Sequence, residues 1–399
     1  MFRFNEEQEY AIQRAVNHIK FDNEQVLQIS GDPGTGKTTV MHEIIRRIGI
    51  PLERVAPMAF VGQAAINMRI KGLYNAKTIH SWLYDCVEVP VYDELGRPVM
   101  DPVYNKPMKR IDFIPRDLRD IDYFIIDEGS TVPLHMKKDI ESRGKKIIVM
   151  GDINQLPPVG DDPAYLTSGE IIRLTQIMRQ AKGSEIITLS KYVLSGYIPT
   201  PGLYGNVLVI EKNDLTDQMM ADAQMILCGK NKTRDAINDY YRKNILHLHT
   251  NLPMFGEKVI CRKNNWSIEY DGISLANGLV GTVVRPPDVT RFDGKLFDID
   301  FQPNYMNIVF PDLRCDYKYF VAPRGEKEFI KNSKYSRGEK FEFAYANTTH
   351  LTQGAQYSNG IYISEYLHKD IQNNLNYVGV TRFKNAMIYV VPSYKSKYF

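Results

Sequence analysis

A glycine-rich segment and a pair of neighbouring carboxylates have the clearest chemical meaning in this sequence. Gly31–Thr38 matches the pattern G-x4-G-K followed by Thr, directly after the apolar run 26–30. Asp127 and Glu128 stand together at the end of a second apolar run, Tyr123–Ile126. A loop of the first kind surrounds phosphates and positions Mg²⁺, and an acid of the second kind activates water. Together the two motifs predict hydrolysis of a nucleoside triphosphate.

Each polar group in these motifs has an expected role. Lys37 is expected to place its charge on the β and γ phosphates, and the Thr38 hydroxyl to bind Mg²⁺. Asp127 is expected to hold the same ion, directly or through water, while Glu128 takes a proton from the attacking water. The alternatives are a turn that only caps a helix and a solvated acidic loop. The predicted nucleotide-binding residues of this segment are Gly31, Pro33, Gly34, Thr35, Gly36, Lys37, Thr38 and Thr39.

Two glutamines are further candidates at the same site. Gln8 lies about twenty residues before the glycine-rich segment, and its amide can donate to and accept from an adenine edge at once. Asn5 and Gln8 also fit a helix capping box, and both interpretations hold together. Gln155 follows a predicted strand and is expected to bond the γ phosphate or the attacking water. The alternative for Gln155 is a plain loop ended by Pro157 and Pro158.

The pattern of apolar runs predicts how these residues are positioned. Val26–Ser30, Ile125–Glu128 and Ile147–Asp152 are predicted strands, and a helix is predicted from Lys37 to about Gly49. Alternating strands and helices favour an α/β fold with mostly parallel sheets covered by helices. Ligands bind at the carboxyl ends of such strands, which is where the acidic residues lie.

Two segments interrupt this alternation. Residues 87–116 contain five prolines and a turn at Asp93–Gly96, which predicts a protruding β-hairpin. Residues 254–343 carry short strand patterns such as Lys258–Cys261 and Asn307–Phe310, which predict an all-β insertion. We therefore expect a first α/β domain over 1–172 with the hairpin inserted, a second over 173–253 and 344–399, and the β insertion at 254–343.

The composition limits the classes of protein to which this chain could belong, but it does not indicate a binding partner. The 399 residues carry 50 Lys and Arg against 47 Asp and Glu, so a nucleic-acid surface must be local if it exists. The four cysteines lack metal-ligand spacing, which fits a reducing compartment. We find no apolar run long enough for a membrane span and no signal region, so a cytoplasmic location is expected.

The order of motifs resembles that of superfamily 1 helicases of the RecD-like and Dda-like branch, the latter from bacteriophages. The motifs that carry the resemblance, which spans nearly the whole chain, are FNEEQ (4–8), GDPGTGKTT (31–39), TIHSWLY (78–84), IIDEGS (125–130), GDINQLPPVG (151–160), LTQIMRQ (174–180), YANTTHLTQGAQY (345–357) and NYVGVTRFK (376–384). The resemblance implies two RecA-like domains, an ATP site with Mg²⁺, and translocation on single-stranded DNA.

The resemblance also implies roles for residues of the second domain. Arg179 and Arg382 correspond to arginine fingers, whose planar charge offsets charge that develops on the γ phosphate. Gln353 and Gly354 correspond to a position that senses nucleotide and lets the backbone come close. The hairpin corresponds to a strand-separating pin, and the β insertion to an SH3-like module near the duplex. The predicted catalytic set is Lys37, Glu128, Gln155, Arg179 and Arg382.

The DNA contacts implied by the resemblance are phosphate contacts and stacking rings. The corresponding positions are Pro57, Thr78, His80, Thr348, Thr349 and His350, and the rings available for stacking are Phe60, Trp82 and Trp266. Core packing is the alternative for Trp82. The sequence departs from the family after Ala56-Pro57, where Met58 replaces the usual Thr, and at Leu351, where a basic residue is usual.

The function predicted from the sequence is an ATP-dependent DNA helicase that moves 5′→3′ and unwinds duplex. The direction is implied by the resemblance and not by local chemistry. Single-stranded DNA and fork junctions are the expected partners, with a single-strand-binding protein as an expectation from the family and a monomer as the active unit. The alternatives are an RNA helicase and a nucleic-acid-stimulated ATPase that remodels protein–DNA complexes without processive unwinding.

Overall fold

The computed structural model describes residues 3–100, 107–158, 160–178, 184–271, 273–290, 292–333 and 337–392. The elements of the amino-terminal part are α1 (Glu6–Lys20), β1 (Val26–Gly31), α2 (Lys37–Ile48), β2 (Val55–Ala59), α3 (Gly62–Ile70), β3 (Lys77–Thr78), α4 (Ile79–Leu83), β4 (Tyr84–Pro90), β5 (Lys109–Pro115), β6 (Tyr123–Asp127), α5 (Leu134–Glu141), β7 (Lys146–Gly151) and β8 (Ile171–Leu174).

The remaining elements follow in chain order. They are α6 (Glu185–Leu194), β9 (Gly202–Tyr204), β10 (Val207–Ile210), α7 (Asp217–Asp222), β11 (Met225–Cys228), α8 (Asn231–Tyr240), β12 (Lys258–Cys261), β13 (Asn265–Tyr270), β14 (Ile273–Leu275), β15 (Val280–Arg285), β16 (Leu296–Pro303), β17 (Phe310–Asp316), α9 (Tyr317–Val321), α10 (Arg324–Asn332), β18 (Phe341–Phe343), β19 (Ala346–Thr348), β20 (Tyr357–Ile363), α11 (Lys369–Val380) and β21 (Phe383–Val390).

The first sheet is parallel and has the strand order β3-β2-β6-β7-β1-β8. Alternate residues of β6 enter two different cores: Tyr123 and Ile125 pack with α1 and α2, whereas Phe124 and Ile126 pack with α5. Because side chains of a strand alternate between faces, a run that is apolar at every position is covered on both sides. This arrangement confirms the α/β architecture expected from the sequence.

The order of the central strands brings the candidate residues to one edge. β1 lies beside β7, with Ser30 opposite Gly151, and β7 lies beside β6, with Val149 opposite Ile126. The loops that follow these three strands therefore leave the sheet side by side. They carry the glycine-rich segment, the acidic pair and the loop that contains Gln155.

A second, mostly parallel sheet has the order β19-β11-β20-β21-β10-β9, with β9 antiparallel at its edge. Helix α11 connects β20 to β21 and packs against α6. The chain thus contains two RecA-like α/β units, as expected. The exact boundaries between them stay a prediction.

The predicted hairpin is present, and its paired strands are longer than the position of the predicted turn at Asp93–Gly96 suggested. β4 pairs with β5 in antiparallel register from Tyr84 opposite Pro115 to Pro90 opposite Lys109. The turn at Asp93 is closed by a hydrogen bond from the Asp93 N–H to the Arg97 carbonyl, 2.8 Å long. The hairpin follows α4 directly, so its base lies at the first sheet.

The insertion of the second unit is built on an antiparallel sheet with the order β17-β16-β15-β12-β18, accompanied by the hairpin β13-β14. The predicted strand at Asn307–Phe310 is wrong in position, because β17 begins only at Phe310. Helices α9 and α10 complete the insertion and were not predicted. α9 has only five residues, and α10 is rich in charges, two of which lie beside the buried Glu342 carboxylate.

Across the described ranges, the protein has no helix that is both long and apolar enough to cross a membrane.

Candidate functional site

The glycine-rich segment forms an open loop at the start of α2. Gly34 and Gly36 both have φ near 80°, in the left-handed region that favours glycine. Gly36 is the N-cap of α2 and offers no side chain to the first-turn N–H groups. The Lys37 ammonium donates to the Gly31 carbonyl, within the same loop. Free N–H groups at a helix start and an adjacent ammonium are suited to phosphate.

Gln8 of α1 stabilises this loop. Its backbone and side chain form a capping box with Asn5, with N–H donor bonds of 2.8 and 3.1 Å. The buried Gln8 Nε2 donates to the Thr35 carbonyl at 2.8 Å. A Cβ on Gly36 would lie only 2.8 Å from this nitrogen, so the loop and α1 fit closely. The capping box is therefore confirmed, and the adenine contact of Gln8 stays a prediction.

The acidic pair occupies the end of β6. Burial of the carboxyl group, with the neighbouring Glu128 carboxylate, raises the pKa of Asp127 to about 6, against the opposing charges of Lys71 and Lys37. Glu128 has φ 54° in the left-handed region, which is costly for a residue with a Cβ. Its Oε2 is buried without a hydrogen-bond partner. Such an oxygen is available to a ligand or a water molecule.

The oxygen atoms expected to hold Mg²⁺, on Thr38 and Asp127, both interact with the Lys71 ammonium. Lys71, at the end of α3, donates to the Thr38 hydroxyl at 3.0 Å and acts electrostatically on Asp127. A hydroxyl and a carboxylate are the hard oxygen ligands that Mg²⁺ prefers. The residues present therefore fit this ion. Lys71 was not singled out from the sequence, because no motif marks it.

The loop after β7 carries Gln155 into the contact between the two sheets. Gln155 is 7% exposed, and its Oε1 is buried without a partner. Gln353 Nε2 of the second unit donates to the Leu156 carbonyl at 3.0 Å. Tyr377 Oη donates to the Asp152 carboxylate at 2.6 Å. Tyr377 was also missed, since its contact joins positions 225 residues apart and has no local signal.

Gly354 shows why a small residue is needed beside Gln353. Its φ is 76°, and a Cβ there would lie 2.6 Å from the Cβ of Ala64 on α3. The Asn67 amide, also on α3, donates to the Gly354 carbonyl. The close backbone approach expected at Gly354 is therefore made to the first unit. Its contact with nucleotide stays a prediction.

Of the two predicted arginine fingers, Arg382 is described and Arg179 lies outside the described residues. Arg382 is 5% exposed. Its guanidinium donates to the Val378 carbonyl at 3.2 Å and the Ala355 carbonyl at 3.3 Å. Val378 packs with Leu156 of the first unit in one apolar cluster. Arg382 thus lies at the junction of the two units, and its γ-phosphate contact stays a prediction.

Three of the predicted DNA-binding residues meet in one aromatic cluster. The His80 ring stacks on Trp266, with centroids 5.6 Å apart, and lies 6.2 Å from Phe60. Tyr84 and Phe113 of the hairpin complete the cluster at 6.3 Å each from His80. Phe113 is 47% exposed. The cluster joins the first sheet, the hairpin and the β insertion, and it offers rings of the kind on which bases stack.

The remaining predicted DNA contacts are more enclosed. Thr348 and Thr349 are buried, and the Thr349 hydroxyl donates to the Cys228 carbonyl at 3.3 Å. Thr78 caps α4 by accepting from the Ser81 N–H, also while buried. His350 is half-buried, and burial lowers the pKa of its imidazole. All four stay predicted DNA contacts.

Trp82 is a core residue, in agreement with core packing, which was the alternative to base stacking for this residue. It is 9% exposed, and its indole N–H donates to the Pro57 carbonyl at 2.8 Å. Pro57 itself is buried within β2. The Pro57 carbonyl therefore already accepts a hydrogen bond within the protein, and the predicted contact of Pro57 with DNA is untested.

Comparisons with known proteins agree with this geometry. A family model described as "AAA domain" matches residues 3–205, just over half of the chain. An uncharacterized protein of Methanocaldococcus jannaschii is 25% identical over 473 residues, which cover 97% of this chain and 38% of that protein. The RecBCD enzyme subunit RecD of Buchnera aphidicola is 28% identical over 185 residues, which cover 41% of this chain and 29% of RecD. The chain therefore spans well under half the length of these relatives.

A solved structure shows the same fold over the whole length. The Pif1 helicase from Bacteroides in complex with ADP-AlF3 and single-stranded DNA matches with a TM-score of 0.54 and 18% identity. The match covers 99% of this chain and 96% of that one. The matched family model includes the glycine-rich loop, the acidic pair and the Gln155 loop. This chain therefore belongs to the AAA domain family, with its matching domain in the amino-terminal half.

Proposed function

We propose that this chain is an ATP-dependent DNA helicase of superfamily 1, related to RecD and Pif1, which translocates on single-stranded DNA and unwinds duplex. The observation that carries the proposal is the contact between the Gln155 loop of the first unit and the second unit. Gln353 and Tyr377 hydrogen-bond this loop, one strand away from the glycine-rich segment. A triphosphate on the first sheet then lies beside a unit able to respond to it.

The first unit supplies the groups for hydrolysis. Lys37 and the N–H groups at the start of α2 bind the phosphates, and Thr38 and Asp127 would hold Mg²⁺, which when bound would offset charge on the phosphate oxygens. The Glu128 Oε2, buried without a partner, accepts the proton of the attacking water, and the unpartnered Gln155 Oε1 orients that water.

The second unit supplies positive charge as it closes. We propose that Arg382 exchanges the carbonyls of Val378 and Ala355 for the γ phosphate. Arg179, which is outside the described residues, is proposed as the second arginine finger. A guanidinium gains more from a phosphate than from neutral carbonyls, because the new bonds join opposite charges. ATP binding therefore favours the closed arrangement, and hydrolysis releases it.

The aromatic cluster is the proposed path of single-stranded DNA. His80, Trp266 and Phe113 offer ring faces to bases. Burial lowers the pKa of the His80 and His350 imidazoles, so both are neutral at pH 7 and contribute hydrogen bonds in place of charge. The hairpin β4-β5, which carries Phe113 at this path, is proposed to part the duplex.

The finer parts of the proposal are supported by the order of sequence motifs. These parts are membership of the Dda-like branch, 5′→3′ movement, a monomer as the active unit, and a single-strand-binding protein as partner. The proposed cytoplasmic location is supported by the spacing of the cysteines, and the proposed domain boundaries at 172/173, 253/254 and 343/344 by the strand patterns of the sequence. The names of the RecD and Pif1 relatives support the helicase class.

Forked duplexes with one single-stranded tail test the proposal. With ATP and Mg²⁺, the protein is expected to separate a fork with a 5′ tail and leave a fork with only a 3′ tail intact. Glu128→Gln protein serves as the control for contaminating activity. Separation of the 3′-tailed fork alone overturns the direction. ATP hydrolysis without separation of either fork supports the remodelling ATPase, and a response to RNA alone supports the RNA helicase.

A further inference from the structure

The loop 152–156 is held by the second unit at three of its five residues. Tyr377 Oη donates to Asp152 Oδ2 at 2.6 Å, and Gln353 Nε2 donates to the Leu156 carbonyl at 3.0 Å. Between them, Asn374 Nδ2 donates to the Asn154 carbonyl at 2.9 Å. The first of these bonds differs from the others, because its acceptor is a carboxylate.

The Tyr377–Asp152 bond is enclosed by apolar side chains. Both residues are 1% exposed, and Leu156 is fully buried. Tyr377 and Leu156 belong to one apolar cluster with Leu375 and Val378, which spans the two units. A charge-assisted hydrogen bond is stronger in such surroundings, and a buried carboxylate that loses its donor is costly. Burial raises the pKa of Asp152, with Lys37 and Tyr377 acting in the opposite direction.

Asp152 also shapes the turn that presents Gln155. Its Oδ1 accepts from the Asn154 N–H at 2.9 Å, and its carbonyl accepts from the Gln155 N–H at 3.2 Å. The next residue, Ile153, donates its N–H to the Ser30 hydroxyl at the end of β1. One carboxylate therefore connects Tyr377 of α11 to the turn that carries Gln155, beside the strand that leads into the glycine-rich loop.

We propose that Tyr377 is a positioning residue that sets the orientation of Gln155 through the Asp152 carboxylate. This inference rests on the proposed function, since Gln155 is the group that contacts the γ phosphate or the attacking water there. A relative movement of the two units changes the Tyr377–Asp152 bond and, through the Asp152 carboxylate, the turn that carries Gln155. Hydrolysis thereby depends on the position of the second unit through a residue that does not touch the nucleotide.

Tyr377→Phe tests this proposal because it removes one hydroxyl and keeps the ring in the apolar cluster. We expect kcat for ATP hydrolysis to fall about tenfold to hundredfold, the effect of losing one hydrogen bond to a charged group. KM for ATP and binding of a fluorescent ATP analogue are expected to stay within about twofold, since the residues of the glycine-rich loop are untouched. A merely structural role would lower both binding and turnover.

A double-mutant cycle identifies the partner. Asp152→Asn combined with Tyr377→Phe is expected to be no slower than Asp152→Asn alone, because both changes break the same connection. Tyr389→Phe is the matched control, since it removes a hydroxyl from another fully buried tyrosine in β21. The control is expected to keep wild-type kcat, and melting temperatures check that each variant folds.

The outcomes separate this inference from the proposed function. If the unmodified protein hydrolyses ATP and Tyr377→Phe has the same kcat, the positioning role is wrong and the proposed function stands. Additive effects in the double variant also overturn the link through Asp152. If the unmodified protein does not hydrolyse ATP, the proposed function itself fails.

Discussion

At the scale of one residue, Glu128 combines a costly backbone conformation with a carboxylate oxygen that has no partner. Its backbone has φ 54°, and one of its carboxylate oxygens is buried without a partner. A left-handed conformation costs a residue with a Cβ about 1–2 kcal/mol. Neither the left-handed backbone nor the unpartnered oxygen stabilises the fold. Contacts of the surrounding strands must therefore offset the free-energy cost of both. Strain at a residue next to a predicted metal ligand points to a role in catalysis.

Replacing Glu128 by Gln keeps its size and removes its basicity. We expect kcat for ATP hydrolysis to fall about 10²-fold to 10⁴-fold, which is the contribution of a general base. The melting temperature is expected to be unchanged or higher, since an unpaired buried carboxylate is removed. Steady-state kinetics with calorimetry check both, and Glu211→Gln on the exposed surface is the control. A kcat within twofold of the unmodified protein contradicts the assignment.

Gln8 supports the glycine-rich loop in this structure, whereas the sequence predicts a contact with adenine. Gln8→Ala removes the bond to the Thr35 carbonyl. Loss of one neutral hydrogen bond is expected to weaken binding of ATP and GTP alike by about twofold to tenfold, because support of the loop does not depend on the base. Titration of both nucleotides measures this. A loss confined to ATP would contradict a purely supporting role and favour the adenine contact.

Glu342 organises the insertion at the scale of secondary-structure elements. Its buried carboxylate in β18 lies within 4 Å of four cations from other segments, which are Arg234, Arg262, Arg324 and Lys327. Burial alone would raise the pKa of Glu342, but these charges outweigh it and lower the pKa to about 2. The carboxylate therefore joins α8 and α10 to the antiparallel sheet.

Glu342→Gln is expected to lower the free energy of unfolding by about 3 kcal/mol at pH 7, since removal of one partner leaves buried charges uncompensated. The folded pKa lies below the ordinary value of 4.5, so the stabilisation is complete above pH 4.5 and lost toward about pH 2. The difference between variant and unmodified protein should shrink over that interval. Denaturation at several pH values measures it, and a constant difference would be inconsistent with this pairing.

Trp266 belongs to the aromatic cluster at the proposed DNA path, and it is one of two tryptophans in the chain. Binding of single-stranded DNA is expected to quench its fluorescence. Trp266→Phe should lose this quenching, because Trp82 is enclosed in the core. Trp266→Ala is expected to weaken binding by about tenfold, the value of one base stacked on a ring. Quenching that persists in Trp266→Phe would place the DNA elsewhere.

The elements that could be predicted from the sequence are those with complete local signals. β6 and β7 contain the unbroken apolar runs 123–126 and 147–150, and the glycine-rich loop is specified by its motif, so these strands and this loop of the first sheet were predictable. Helix α10 could not be predicted in this way. Arg324 and Lys327 have the pattern of surface charges in the sequence, and only the structure shows that they lie beside the buried Glu342 carboxylate. Tyr377 was missed for the same reason: its partner Asp152 lies in the other unit.

At the scale of the whole molecule, the two sheets meet along a surface made mainly by loops that follow strands. Gly354 packs on α3, Leu156 packs against α11, and the Gln155 loop lies between them. Arg382 is buried at this junction, and the proposed triphosphate would bind on the first sheet across from it. In the proposed mechanism of a shared site, hydrolysis changes the affinity for DNA because the contacts that close the units depend on the γ phosphate.

The most direct test of this account is kcat for ATP hydrolysis in the presence and absence of single-stranded DNA, measured for the unmodified protein and for Arg382→Ala. We expect single-stranded DNA to raise kcat of the unmodified protein. We expect Arg382→Ala to lower kcat about 10³-fold or more while it still binds ATP, as for other arginine fingers. Arg314→Ala, an exposed arginine of the insertion, is the control. Equal rates with and without DNA, and an Arg382→Ala protein as fast as the control, would contradict the shared site.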